Sequence, residues 1–481
     1  MAQKKAGPDT TSAWYDAMLP RWQLVESLLG GTDTMRDAGR RYLPSHEGES
    51  NNAYSERLNR TVLLNVTKLT LETWVGRPFR EPLSDELLTD DQREWFNDVD
   101  MQGQNLDIFS RDLFREGLAK GMTHVLVDFP QVQVSDRPRT LEDDIREGAR
   151  PYFTHVKPEN LFYAHSEVVE GVERLTQIRI FEHITEEVGF TQVVRSRIKV
   201  ITPGLVEIYE IDQKVKGKKE WVKTGEYTYD LDFIPLVTFY SHRLDFMLAE
   251  SPLIDLANLN IAHWQSQSDQ TSILTVTRFP MLAGSGIADE DVATIGPNRM
   301  LTTNDPQARY YYVEHSGKAI EAGRKDLEAL EDRMKGYGAE FLKKRPGRET
   351  ATARSLDSSE SMSGLQAVTI MFQGVINQLY AVAAAWTGGE PGSVEINTQF
   401  GSDETDSRAL DALRDARLNG DISRKAYVTE LIRYNILDDD FDIEADAGVI
   451  EEELMVIGKA MMDLDPGAPK PPQKKTDGPE K

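Results

Sequence analysis

Residues Lys318–Lys344 carry apolar side chains at heptad spacing over twenty-seven residues. A helix of this length spans about 40 Å. Its narrow apolar seam is typical of side-by-side packing with one neighbour, and the alternative is a single long helix on a globular core. One core position of the repeat holds Ile320, Leu327, Met334 and Phe341, and the other holds Gly323, Leu330 and Tyr337.

A second long helix is predicted over residues 251–280. Ser251 is suited to cap it, Pro252 to occupy its first position and Pro280 to end it. The stretch Gln265–Ser272 is polar on almost every face, so this part of the helix either bridges through solvent or packs in a wet interface. An apolar stripe precedes it, formed by Ile254, Ala257, Ile261 and Trp264.

A basic stretch, "KKRPGRETATARS", follows the heptad helix at residues 343–355, with five cations in thirteen residues. Pro346 and Gly347 prevent a simple continuation of the helix. A further helix is predicted from Ser355 to the pair Gly388-Gly389. The cations are Lys343, Lys344, Arg345, Arg348 and Arg354.

The remaining segments have clear periodicities. Helical spacing predicts helices up to Gly121, including one continuous helix from Tyr54 to Gly76. Residues 122–240 alternate apolar and polar side chains between turns, which predicts an antiparallel β layer. Residues 281–313 are short strand-like pieces, 393–400 form one strand, and two helices flank a turn at Gly420, with Ser423 as a cap.

Composition narrows the possible functions. The formal net charge is -25, and residues 403–465 hold 18 acidic against 7 basic residues, which argues against ordinary nucleic-acid binding through a basic surface. There is no cysteine, so disulfides and thiolate metal sites are excluded. The longest apolar run, Leu379–Trp386, is far too short for a membrane span, and no secretory signal is recognised, so a soluble protein is expected.

Catalytic motifs are missing from the sequence. It contains no phosphate-binding loop, no third glycine after "GSG" at 284–286, no nucleophile elbow and no pair of zinc-binding histidines. Residues 440–451 have the acidic spacing of a calcium loop, but Ala445 stands where the turn requires glycine, so an acidic surface turn is favoured. We therefore expect no enzyme activity, no cofactor and no metal.

The order of elements resembles that of the portal proteins of tailed bacteriophages: a long helix, a compact insert, a second long helix, a basic loop and another helix. Three segments resemble a portal-like phage family catalogued as a domain of unknown function. They are "YLPSHEGES…YSERLNRTVLLNVTKLTLETWVGRPF", "DLANLNIAHWQSQSDQTSILTVTRFPMLAGSG" and "RETATARSLDSSESMSGLQAV". "NGDISRKAYVTELIRYNIL" resembles a helical turn near portal C-termini. The resemblance covers roughly residues 30–440 and concerns family signatures rather than chemistry.

The resemblance implies an α+β portal fold with a β-rich wing, two long stem helices, a small α/β clip insert and an α-helical crown. It divides the chain into an N-terminal helical part of the wing (1–121), the β-rich wing (122–250), stem helix 1 (251–280), the clip (281–317), stem helix 2 (318–342), the tunnel loop (343–360), a wing helix and strand (361–402), the crown (403–464) and a disordered tail (465–481).

The implied function is a ring of twelve copies at one capsid vertex, through which double-stranded DNA is packaged and ejected. Terminase, later replaced by head-tail adaptors, and the major capsid and scaffolding proteins are the implied partners, with no membrane. The protein would reside in the virion, and in the host cytoplasm during assembly. The alternatives are another ring-forming head-tail adaptor and an acidic hydrolase.

The resemblance also assigns roles to residues. The five cations of the basic stretch, Lys343, Lys344, Arg345, Arg348 and Arg354, would contact DNA in the channel, although ordinary surface charges compensating acidic helices are the alternative. Stem residues would pack between subunits, namely Ile261, Trp264, Ile320, Leu327, Leu330, Met334, Tyr337 and Phe341.

Overall fold

The computed structural model describes residues 7–130, 140, 143, 147–211, 220–278, 281–285, 307, 309–313, 317–337, 351–398, 407–433, 436–437 and 441–464. The chain divides into two compact units, Met1–Thr398 and Gln399–Lys481. Helices and antiparallel sheets are both present, so the predicted α+β class is confirmed. The predicted disordered tail, 465–481, lies outside the described residues.

The first unit begins with six helices, and capping side chains mark the starts of the last four. Ser50, Asn65 and Asn105 each accept a hydrogen bond from the backbone N–H three residues on, and Thr89 forms a capping box with Gln92. The helices are α1 (Ala13–Leu29), α2 (Thr32–Ala38), α3 (Asn51–Arg60), α4 (Val66–Gly76), α5 (Asp90–Phe96) and α6 (Leu106–Lys120). Short 3-10 turns occupy Gly39–Arg41, Pro78–Arg80 and Pro158–Asn160.

The single helix predicted from Tyr54 to Gly76 is two helices. Residues 61–65 between α3 and α4 are not helical, because Asn65 caps α4 through the Lys68 N–H. Its side-chain amide also donates 2.6 Å to the Leu28 carbonyl. Helical spacing continues across this break, so periodicity alone did not reveal it. The helix ends at Gly76 and before Gly121 are as predicted, and Gly121 has the left-handed φ of 90°.

The predicted antiparallel β layer is present as two main sheets. One has the order β2-β1-β8, and the other is the meander β3-β4-β5-β6-β7. The strands are β1 (Met122–Asp128), β2 (Tyr152–Val156), β3 (Leu161–Val169), β4 (Val172–Val188), β5 (Thr191–Thr202), β6 (Leu205–Ile211), β7 (Trp221–Thr228), β8 (Leu236–Tyr240), β9 (Arg243–Asp245) and β10 (Leu248–Ala249).

Two long helices and a strand pair follow the sheets. Helix α7 spans Ile254–Thr277 and α8 spans Lys318–Lys335. Between them β11 (Met281–Ser285) pairs antiparallel with β12 (Arg309–Val313), joining Met281 to Val313 and Ser285 to Arg309. Apart from Gln307 and Gly317, the rest of the predicted clip lies outside the described residues, as do residues 338–350.

Helix α9 (Ala351–Thr387) closes the first unit. Its segment Gly364–Thr387 is long and apolar enough to cross a membrane by length and composition, but 44% of it is buried inside the structure. It contacts β8 and β1, as a core helix does. The strand predicted at 393–400 is, in its described part, a single antiparallel bridge between Glu395 and Ser84.

The second unit is helical in its described part. It contains α10 (Ser407–Asn419), α11 (Arg424–Arg433) and α12 (Ile443–Leu464). As predicted, Gly420 ends the first of these helices with a φ of 82°, and the Ser423 hydroxyl accepts 3.1 Å from the Ala426 N–H at the start of the second.

A cluster of phenyl rings joins α6, β8 and α9. Phe372 lies 5.0 Å from Phe114 and 4.8 Å from Phe239 between ring centroids, at steep interplanar angles that favour edge-to-face attraction. All three side chains are buried. Gly117 on α6 lies beneath the Phe239 ring, where an added Cβ would be 2.2 Å from Cδ1. The absence of a side chain at this position therefore sets the distance between helix and sheet.

We expect Gly117→Ala to lower the free energy of unfolding by about 2 kcal/mol, because overpacking outweighs the gain in helix propensity. Gly374→Ala is the matched control, since that glycine also lies in a helix and an added Cβ would meet nothing within 4 Å. Urea unfolding of both variants measures the difference. Equal stabilities would contradict the close packing inferred at Gly117.

Candidate channel and subunit-packing site

The two long helices α7 and α8 pack side by side within one chain. Trp264 of α7 and Met334 of α8 are fully buried, and Leu330 is 9% exposed. In the part of the chain that the structure describes, the heptad helix packs on α7. The connection between α7 and α8, residues 278–317, contains a pair of strands.

Three of the residues predicted to pack between subunits, Trp264, Leu330 and Met334, are buried inside the chain. Their role in contacts between subunits stays a prediction. Ile261, Ile320 and Leu327 are half-buried and Tyr337 is 42% exposed, so part of the predicted surface stays accessible. Phe341 lies outside the described residues.

A close approach between the helices explains the glycine in the heptad. An added Cβ at Gly323 would lie 2.0 Å from Oε1 of Gln270. The Gln270 amide donates a 3.0 Å hydrogen bond to the Ile320 carbonyl, and the Ser266 hydroxyl donates 2.6 Å to Asp326. Polar side chains of α7 therefore contribute to the contact with α8, in addition to the apolar residues of the heptad seam.

Several side chains of the polar stretch Gln265–Ser272 form hydrogen bonds inside the chain. Gln265 donates 2.9 Å to the Tyr42 carbonyl, and Ser268 is fully buried and accepts 2.9 Å from the Thr61 hydroxyl. One turn earlier, buried Asn260 accepts from the Thr67 N–H and donates to the Leu64 carbonyl. Helix α7 is polar because its second face packs on the polar ends of α3 and α4.

A buried ion pair lies at the centre of this contact. The Arg57 guanidinium, 6% exposed, binds both carboxylate oxygens of Glu49 at 2.8 Å. It also donates 2.8 Å to the Pro44 carbonyl and 3.3 Å to Ser268. The hydrogen bonds from Arg57 lower the pKa of Glu49 from 4.5 to about 2.

A buried histidine also lies at the α7–α8 contact. His263 is 3% exposed, and its Nε2 lies 3.7 Å from Glu331. Burial lowers the pKa of His263, although the nearby carboxylate opposes this shift. The ring is therefore neutral at pH 7, and the contact is not a strong ion pair.

The outer side of α8 is charged and internally paired. Arg324 lies 2.8 Å from Glu321 and 2.6 Å from Glu328, and Lys325 lies 3.7 Å from Glu321. All these side chains are exposed. Such pairs contribute little to stability, but they keep this face hydrated and nearly neutral.

The predicted DNA-contact residues fall mostly outside the described residues. This applies to Lys343, Lys344, Arg345 and Arg348. Arg354 lies on the first turn of α9, which begins at Ala351 rather than Ser355, and its side chain is outside the described part. The prediction that these cations meet DNA stays a prediction.

The calcium-loop spacing at 440–451 is not realised as a loop. Helix α12 begins at Ile443, and Asp442 accepts hydrogen bonds of 2.9 Å from the N–H groups of Glu444 and Ala445. Asp446 forms an ion pair with Arg424. Asp442 therefore caps a helix and Asp446 forms an ion pair, so these carboxylates do not converge on one point. The sequence favoured an acidic surface turn here, and the structure has the start of a helix instead.

Three other carboxylates do converge, around a lysine. Glu26, Glu116 and Glu159 have oxygens within 4.8 Å of one another. Lys120 is fully buried and reaches them at 3.1, 2.7 and 2.5 Å. Burial alone would lower the pKa of Lys120, but the charges of Glu116 and Glu159 outweigh it and raise that pKa. The ammonium group occupies the position that a metal ion would take.

A protein-family model matches the part of the chain that contains the two long helices of this site. Residues 252–387 match a family model described as a domain of unknown function (DUF4055). This segment contains α7, the strand pair, α8 and α9. The match confirms, for this segment, the resemblance to a family catalogued as a domain of unknown function. No curated protein matches the chain.

The chain is also similar to chains of three solved structures. The first is the neck of an empty GTA particle computed with C6 symmetry, at a TM-score of 0.39 and 11% identity, over 77% of this chain and 90% of that one. The second is the virion of a native gene transfer agent particle. Its TM-score is 0.38 and its identity 12%, and the match covers 77% of this chain and 89% of that one. The third is the neck of a native GTA particle computed with C12 symmetry. Its TM-score is 0.39 and its identity 11%, and the match covers 76% of this chain and 89% of that one. These TM-scores are too low to assign this chain a function.

We expect Glu49→Gln to lower the free energy of unfolding at pH 7 by about 3 kcal/mol, because it leaves the buried Arg57 charge without its partner. Since the folded pKa of Glu49 is about 2 and its ordinary value is 4.5, this stabilisation is present above pH 4.5 and is lost as the pH falls towards 2. Urea unfolding at several pH values measures the difference in free energy of unfolding between wild type and variant, which should shrink as the pH falls.

Glu47→Gln is the control, because Glu47 is exposed in the same loop. It removes the same charge and leaves the Arg57 contact in place. A difference between wild type and Glu49→Gln that stays constant from pH 7 to pH 3 would contradict the assigned ion pair.

Proposed function

We propose that this protein is a phage portal protein, one of twelve copies that form a ring at a capsid vertex and surround the channel for double-stranded DNA. The observation that carries the proposal is the pair of helices α7 and α8, packed side by side and joined by the antiparallel strands β11 and β12. Helices of 24 and 18 residues are about 36 and 27 Å long. In the portal resemblance they are the stem, and the strand pair is the base of the clip.

The accessible parts of the helix pair support packing around an axis. Ile261, Ile320 and Leu327 are half-buried at the edges of the intramolecular seam, and Tyr337 is 42% exposed at the end of α8. A neighbouring copy would cover these apolar groups, while the ion-paired face of α8 stays in water. The ring therefore uses the edges of the seam rather than its centre.

Charge supports a conduit rather than a tight DNA-binding surface. Twelve copies of a chain with net charge -25 carry about -300 in total. Such a field repels a polyanion, so DNA is not held by the walls. In this proposal the cations of residues 343–354 contact phosphates briefly as DNA slides past.

The partners follow from the same proposal. The sequence has no phosphate-binding loop, so a separate terminase supplies ATP hydrolysis during packaging. Head-tail adaptors then replace terminase at the clip, and the ring sits among major capsid and scaffolding proteins in the virion. The chain itself acts as an assembly protein without a catalytic site.

The first test is the mass and shape of the purified chain. Twelve copies of 54.3 kDa give about 650 kDa, and negative-stain images should show rings with a central hole. Light scattering after size exclusion measures the mass, and the ring matters more than the subunit number. A chain that stays monomeric at high concentration and low ionic strength would overturn the proposal.

The second test concerns DNA contact. Replacing Lys343, Lys344 and Arg345 by Ala should reduce DNA packaging several-fold in an assembly assay and leave the rings intact in electron micrographs. The matched control removes three exposed cations from the β meander and its edge, Lys157, Arg174 and Lys223, and should package normally. Unchanged packaging by the first variant would exclude these residues as DNA contacts.

A further inference from the structure

An aromatic groove of about 430 Å³ lies between the end of β1, the end of β7 and the end of α9. Four of its lining residues are aromatic, one is acidic and none is basic. They are Asp128, Phe129, Pro130, Tyr227, Thr228, Tyr229 and Trp386. The groove is far from the α7–α8 helix pair in sequence, and neither the resemblance nor the proposed function uses it.

The aromatic rings of the groove are held in place. The Trp386 indole N–H donates 3.1 Å to the Val127 carbonyl. Phe129 stacks on this indole at 5.6 Å with an interplanar angle of 25°, and Tyr229 lies 5.7 Å from it on a tilt of 44°. The Tyr229 hydroxyl donates 2.8 Å to the Thr202 carbonyl. Hydrogen bonds and ring contacts therefore hold Trp386, Phe129 and Tyr229 in fixed positions.

Asp128 gives the groove a negative charge. Its carboxylate accepts 3.3 Å from the Tyr152 hydroxyl and 2.9 Å from the Phe129 N–H. Among the described residues, no basic side chain forms an ion pair with it. Burial, with the Asp128 charge adding to it, raises the pKa of Tyr229 to about 12, although a backbone hydrogen bond opposes the shift. The phenol is therefore neutral at pH 7.

We propose that this groove binds the side chain of an arginine presented by a partner protein. A guanidinium group is planar, so it stacks on an indole or phenyl face while its N–H groups bind a carboxylate. Indole, phenyl and phenol rings beside a carboxylate that forms no ion pair within the described residues are the complement of such a group. An anion would meet repulsion from Asp128, and a purely apolar side chain would leave the charge of this carboxylate without a counterion.

The chemistry of the site selects a basic segment as the partner. The chain carries a net charge of -25, which attracts basic surfaces and repels acidic ones. Arginine is favoured over lysine because an ammonium group is more strongly hydrated and does not stack. This inference stands on the groove alone, so it does not depend on the portal proposal.

The test measures binding of the tripeptide acetyl-Gly-Arg-Gly-amide by saturation-transfer NMR, a method suited to large proteins. The control peptide has citrulline in place of arginine, which keeps the shape and removes the charge. We expect the arginine peptide to bind with a millimolar dissociation constant, which corresponds to about -4 kcal/mol, and the citrulline peptide at least tenfold more weakly.

Two variants of the protein locate the binding. Asp128→Asn should weaken binding of the arginine peptide about tenfold, and Phe129→Leu should weaken it several-fold. The far-UV circular dichroism spectrum of both variants should stay unchanged. Asp230→Asn is the matched control, because it removes the same charge from an exposed neighbour of Tyr229 that does not line the groove.

Each of the following results would count against the proposed arginine site. Equal binding of the arginine and citrulline peptides, or unchanged binding by Asp128→Asn, would overturn the proposal. A lysine peptide that binds as well as the arginine peptide would overturn the guanidinium assignment. Weakening by Asp230→Asn as large as that by Asp128→Asn would show that only net charge matters, which would also overturn the site.

Discussion

The buried guanidinium of Arg57 joins the parts of the first unit on which the proposed stem depends. It contacts the loop before α3 through Pro44 and Glu49, and it contacts α7 through Ser268. A buried charge without a partner costs several kcal/mol, so loop, α3 and α7 are tied to one arrangement. Because α7 then positions α8, the strand pair between the two helices depends on the same contact.

Helix α7 explains how a sequence that is polar on most faces can lie in a core. His263, Ser266 and Gln270 contact α8. On another face, Asn260 and Ser268 bind backbone and hydroxyl groups of α4 and of the residues between α3 and α4. These hydrogen bonds satisfy Asn260 and Ser268, so burial of these two side chains carries no large penalty. Among the described residues, the Trp264 indole N–H, Nδ1 of His263 and Oε1 of Gln270 have no hydrogen-bond partner. For the proposed ring, this places the contacts between subunits at the edges of the helix pair.

Both proposals concern contacts between cationic and anionic groups in a chain of net charge -25. In the proposed channel, the basic residues lie on this protein and the polyanion passes by. In the aromatic groove, the carboxylate lies on this protein and the cation comes from a partner. The groove holds its partner with stacked rings and one charge, whereas the proposed channel works only if contacts with DNA stay weak.

The sequence by itself determined the element types and many of their ends, because caps, left-handed glycines and hydrophobic periodicity act between residues close in the chain. The heptad in α8 likewise showed that one face is covered. Only the tertiary structure decided that α7 covers it, that α3 and α4 are separate, and that Asp128 and Trp386 share a groove. Partners such as Arg57 and Ser268 lie 211 residues apart, and periodicity records that a face is buried but not which surface buries it.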